Sequence, residues 1–134
     1  AMRTLIFLLI LLQTVFSPAV VSAEQTNNSS VRPHLISPHR AEHILHGDRT
    51  GGGHLWPGRP GKTPFPKNWS EEKILHEISN IATDPQIHSV DAKMGRTTKE
   101  GVRDGVKIRV VMESKSRGGG VVTGYPLNLK RNRQ

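Results

Sequence analysis

Cysteine is absent from this chain. No disulfide can hold it together, even in an oxidising compartment, so stability has to come from a modest apolar core. Aromatic residues are scarce at 4%. Beyond the first two dozen residues they reduce to Trp56, Phe65, Trp69 and Tyr125, too few for the stacked platforms on which single-strand binders lay successive bases. Acidic residues are outnumbered, 11 against 19 basic ones, and the formal net charge is +8. That surplus suits a polyanion such as RNA, DNA or an anionic membrane, although it would also serve solubility. The one long apolar run, Leu5 to Leu12, falls short of the about 20 residues that a membrane span requires.

That run has a role of its own. Arg3 precedes it and Val21-Ser22-Ala23 follows with small residues, which is the layout of a secretory signal peptide. The expectation is therefore a signal peptide over 1–23, a secreted or periplasmic location, and no stable membrane association after cleavage. An uncleaved anchor is the competing reading of the same run. Residues 24–36 are polar and aperiodic, with Asn27-Asn28-Ser29-Ser30, and read as a flexible linker. A folded domain is expected over 37–130.

Within it, Ser37-Pro38 spells a helix start, with Ser37 as N-cap and Pro38 at the first helical position. The helix would carry Arg40, Ala41, Ile44 and Leu45 and stop at Gly47. Residues 47–68 hold too much Gly and Pro for regular structure, but Leu55, Trp56 and Phe65 favour a packed loop over a linker. Ser70 opens a second helix, with Glu71 and Glu72 on its positive end. Ile74, Leu75, Ile78, Ile81 and Ala82 form its apolar stripe, His76 lies on the solvent side, and Asp84-Pro85 ends it. Thereafter the period changes to two. Val106, Ile108, Val110 and Met112 alternate with more polar neighbours, Asp104-Gly105 reads as the turn leading in, and Val121–Tyr125 as the returning strand. Ile87–Val90 is a further candidate strand. Helices first and antiparallel strands later indicate an α+β fold.

Seven histidines need an account, and five of them (His34, His39, His43, His46 and His54) precede residue 55. Imidazole is the side chain best matched to proton transfer near neutral pH. Two imidazoles flanking a phosphate can cleave RNA. One takes the proton of the ribose 2′-hydroxyl and the other protonates the departing 5′-oxygen, while a lysine or backbone N–H groups stabilise the charge on phosphorus. The alternatives are a metal site, since His39-Arg40-Ala41-Glu42-His43 spells the H-x-x-E-H pattern of some zinc proteases, and a secreted cationic RNA-binding or membrane-active protein without catalysis.

A resemblance narrows these choices. The runs Arg40–Asp48 (RAEHILHGD) and Thr50–His54 (TGGGH) resemble the active-site signature of bacterial EndoU nuclease domains. Gly61–Pro66 (GKTPFP), Trp69-Ser70, Lys73-Ile74, Ile81–Pro85 (IATDP), Gly105–Val110 (GVKIRV) and Val122–Pro126 (VTGYP) follow in the order of that family. The likeness spans 38–126. It implies an EndoU/barnase-like α+β fold, with N-terminal helices packed on a C-terminal antiparallel sheet, and an endoribonuclease that needs no metal or other cofactor and leaves 2′,3′-cyclic phosphate ends. It further implies two catalytic histidines, His43 as acid and His54 as base, with a lysine placed at Lys99 and Lys62 or Lys107 as alternatives. Thr123 and Tyr125 would contact the substrate base and ribose, and Gly53 and Lys62 would also bind substrate. His46 reads as a surface neighbour. The implied partners are tRNA or other structured RNA and, because the family arms many interbacterial toxins, an acidic immunity protein.

Overall fold

The computed structural model describes residues 35–134; the expected signal peptide and most of the linker lie outside them. Two helices precede a four-stranded antiparallel sheet. Helix α1 is Pro38–Leu45 and α2 is Glu71–Thr83. The strands are β1 Val90–Asp91, β2 Thr97–Arg103, β3 Val106–Met112 and β4 Val121–Pro126, paired in the order β1-β2-β3-β4. This is the α+β arrangement the sequence leads one to expect.

Both helices start where their caps place them. The Ser37 side chain accepts from the Arg40 N–H and the Ser70 side chain from the Lys73 N–H, each satisfying one of the unpaired donors of a helix N-terminus. The stripe of α2 is its buried face, since Ile74, Ile78 and Ile81 are fully covered. They pack on Val106, Ile108 and Val110 of β3, and each such aliphatic side chain contributes about 1.5–3 kcal/mol by leaving water. Gly124 and Gly101 let the helix come close, because a methyl group at either would lie 2.8–2.9 Å from Ile78 or Ile81. Phe65 is fully buried and stacks on Trp69, so the Gly/Pro-rich segment is a packed loop. Trp56 nonetheless stays about half exposed. The Asp104-Gly105 turn joins β2 to β3 with positive φ at both residues (45° and 76°), as a two-residue hairpin turn of type I′ requires.

Two expected bounds need correcting, and the structure adds a strand. Leu35 and Ile36, read as linker, belong to the fold: Ile36 is in the core and the Leu35 carbonyl accepts from the Val121 N–H. The domain also runs past residue 130, because 131–133 pair with the 57–62 loop. Finally, Thr97–Arg103 is a full strand that the alternation of apolar residues does not reveal. One of its faces turns to α2 with Lys99, Gly101 and Arg103, and the polar tips of the lysine and the arginine reach the helix end: Lys99 Nζ donates to the Asp84 carbonyl, and Arg103 to Asn80 and Asp84. The strand that does read as such at 87–90 is confined to Val90–Asp91. Among the described residues no helix is long and apolar enough to cross a membrane.

Candidate active site

The end of α1 creates the site. A helix leaves its last carbonyls without partners, and here the chain returns to cap them. The N–H groups of Gly53, His54 and Leu55 donate in succession to the carbonyls of His43, Ile44 and Leu45, at 3.0, 2.8 and 3.0 Å. The loop can lie this close only because Gly52 has no side chain. Its φ is +77°, and a Cβ there would fall 1.9 Å from the His43 carbonyl oxygen. This ladder brings His43 and His54 into one cleft of about 490 Å³ that Lys62, Thr63, Thr123, Tyr125 and Arg131 also line.

The two rings are held differently. His54 is buried, its backbone N–H donates to Ile44 and its carbonyl accepts from the Phe65 N–H. Its Nδ1 is 2.8 Å from the Thr63 carbonyl. A carbonyl only accepts, so Nδ1 carries the proton and the neutral ring keeps a lone pair on Nε2. The ring stacks on Tyr125, centroids 5.6 Å apart. Burial pushes its pKa below the ordinary histidine value, the bond to Thr63 partly opposes this, and the positive charges of Lys62 and His43 add to the lowering.

His43 is also buried, but its Nδ1 faces a carboxylate, Asp48 Oδ2, at 3.1 Å. Asp48 sits in a tight turn closed by backbone bonds between Asp48 and Gly51. Its other oxygen accepts from the Thr50 hydroxyl at 2.6 Å and the Thr50 N–H at 2.8 Å. Those two bonds, with the nearby His43, hold the Asp48 carboxyl far below the usual carboxylate range, so it is an acceptor at any working pH. His43 Nδ1–H therefore donates to Asp48. In both rings Nε2 is the nitrogen without a partner among the described residues.

The remaining candidates divide. Thr123 and Tyr125, on one face of β4, both line the cleft, and so does Lys62. Lys99 does not: its ammonium donates to the Asp84 carbonyl at the end of α2. The location carried over from the family gave the order along the chain, but β2 turns that side chain under the sheet. Lys107 lies on the solvent side of β3, beside Glu100. Gly53 is buried with its N–H given to His43 and its carbonyl taken by the Arg59 N–H, and the Arg59 stem covers its Cα; Gly51 and Gly52 face the cleft instead. His46 pairs with Glu71 on the surface. The H-x-x-E-H spelling does not assemble a site, since His39 is exposed while His43 is buried against Asp48, and the described residues contain no cluster of three metal-ligating side chains. Asp48 and Thr50 stand in the signature without an assigned role, and Arg131 lies outside it. Only the fold shows what these three touch: Asp48 and Thr50 stand beside His43, and Arg131 lines the cleft.

Comparison with curated proteins and with solved structures gives no match. The family model described as bacterial EndoU nuclease matches residues 46–128. His54, Lys62, Thr123 and Tyr125 fall inside that span, whereas His43 and Arg131 fall outside it and are placed in the cleft by the fold alone. With the α+β fold, the paired histidines and this match over more than half its length, the chain belongs to the bacterial EndoU nuclease family.

Proposed function

We propose that this nuclease is an endoribonuclease acting by attack of a ribose 2′-hydroxyl on the adjacent phosphate. His54 Nε2 accepts the 2′-hydroxyl proton as the 2′-oxygen bonds to phosphorus. The bond from phosphorus to the 5′-oxygen breaks, and His43 Nε2–H protonates that oxygen. The products are a 2′,3′-cyclic phosphate and a 5′-hydroxyl. The two histidines end with exchanged protonation states, which solvent restores. One observation carries this reading: two buried imidazoles on one cleft, each with Nδ1 engaged, one by a carbonyl and one by a carboxylate. The carbonyl suits a neutral ring that accepts a proton. The carboxylate suits a charged ring that gives one.

Lys62 takes the role first given to Lys99, offsetting the charge that builds on the phosphoryl oxygens. Tyr125, already stacked on His54, offers its face to the ribose, and Thr123 offers a hydroxyl to the base. The reaction needs the 2′-hydroxyl and calls on no metal. The basic chain and its N-terminal apolar run support an exported enzyme directed at structured RNA such as tRNA in competing or host cells, with an acidic immunity protein as its natural inhibitor.

The test is to incubate the purified protein with total RNA in the presence of chelator and to map the new ends. We expect 2′,3′-cyclic phosphates, and a loss of about 10²–10⁴-fold for His43→Ala or His54→Ala with the fold retained. Cleavage that stops in chelator, that accepts DNA equally, or that survives intact in either variant contradicts the proposal.

A further inference from the structure

Residues beyond the family match return to the cleft. Leu129 packs against the core and anchors a strap that pairs with the loop carrying Lys62. The Asn132 N–H donates to the Lys62 carbonyl at 2.8 Å, and the Gly61 N–H to the Arg133 carbonyl at 3.0 Å. The Asn132 side chain reaches the carbonyls of Pro57 and Arg59, and Arg131 Nε donates to the Gly61 carbonyl. Arg131 thereby joins the wall of the cleft. Its Nε is spent on the backbone, so among the described residues its two Nη groups are the free end of the fork. Among the described residues neither Arg131 nor Lys62 pairs with an acidic side chain.

Cleaving one linkage develops charge on one phosphorus, for which the two histidines and Lys62 suffice. A second unpaired cation, planar and held at its Nε, matches a phosphate that does not react. We propose that Arg131 binds the phosphate of a nucleotide flanking the cleaved linkage, so that the strap adds a subsite for a longer RNA chain. This rests on the endoribonuclease reading given above.

Two ribonucleotide substrates test it, a dinucleotide whose only phosphate is the cleaved one and the same dinucleotide extended by phosphate-linked nucleotides on both sides. The wild-type protein should prefer the extended substrate in kcat/KM. Arg131→Ala should cut that preference about tenfold, mainly through KM, and Arg131→Lys, which keeps the charge but loses the planar fork and the Nε bond to Gly61, should recover only part of it. An unchanged preference in Arg131→Ala, or a wild-type protein indifferent to the extension, overturns the inference. Binding of the extended oligonucleotide with 2′-O-methyl groups, which cannot be cut, reads the subsite independently of catalysis. Arg131→Ala should weaken it about tenfold and flatten its salt dependence by about one phosphate contact. If the wild-type protein cuts neither substrate but this binding depends on Arg131, the catalytic reading fails and the subsite stands; if binding ignores Arg131, the subsite fails.

Discussion

Two imidazoles that are equivalent in the unfolded chain acquire different partners at Nδ1, and the difference begins with what lies beside them in the fold. Thr63 offers His54 a carbonyl, and burial disfavours its charged form. The acid limb of kcat/KM against pH, set by the free base, should therefore lie below the ordinary histidine value of 6.5. Lys62→Ala removes a neighbouring positive charge, so it should move that limb to higher pH while lowering the rate by about 10²-fold. A limb that stays fixed, or moves to lower pH, would show that Lys62 does not sense His54. Stability follows the same sign. The unfolded chain protonates this histidine near pH 6.5, and the folded chain does so only at lower pH. The fold therefore loses stability as pH falls through that window. The identities of these residues were legible in the sequence because the signature names both histidines. Their partners were not. Asp48 and Thr50 acquire meaning only when a four-residue turn points one carboxylate oxygen at His43 and the other at Thr50.

At the scale of elements, the site depends on a loop that caps a helix. Gly52 is the point of closest approach, and there any side chain meets both an unfavourable positive φ and the His43 carbonyl. Gly52→Ala should break the three-bond ladder, lower the melting temperature by more than about 5 °C and abolish cleavage. A variant that melts like the wild type and still cuts RNA would mean that the ladder does not position His54. The helices and β3 were readable because their apolar residues follow periods of 3.6 and 2. Strand β2 was not, since its inward face is Lys99, Gly101 and Arg103: glycine has no side chain to signal burial, and the polar ends of Lys99 and Arg103 bond to the end of α2. The same feature keeps Lys99 out of the cleft. Lys99 has the right position along the chain but faces the wrong side of the sheet, and Lys62, eight residues after His54, stands in the cleft.

At the scale of the molecule, a small, basic, cysteine-free chain builds its cleft where α1, the glycine loop, β4 and the strap meet, with Lys62 and Arg131 in its wall. The family match covers the sheet and the second histidine, but the first histidine and the strap come from flanking residues that only the tertiary structure brings in. The central claim is a division of labour between His43 and His54 across one phosphate. Its most direct test is an RNA dinucleotide whose 5′-bridging oxygen is replaced by sulfur, a leaving group that departs without being protonated. On this substrate His43→Ala should recover to within about tenfold of the wild-type rate, whereas His54→Ala should stay at least about 10²-fold impaired. Recovery of His54→Ala instead, or of neither variant, would contradict the assignment.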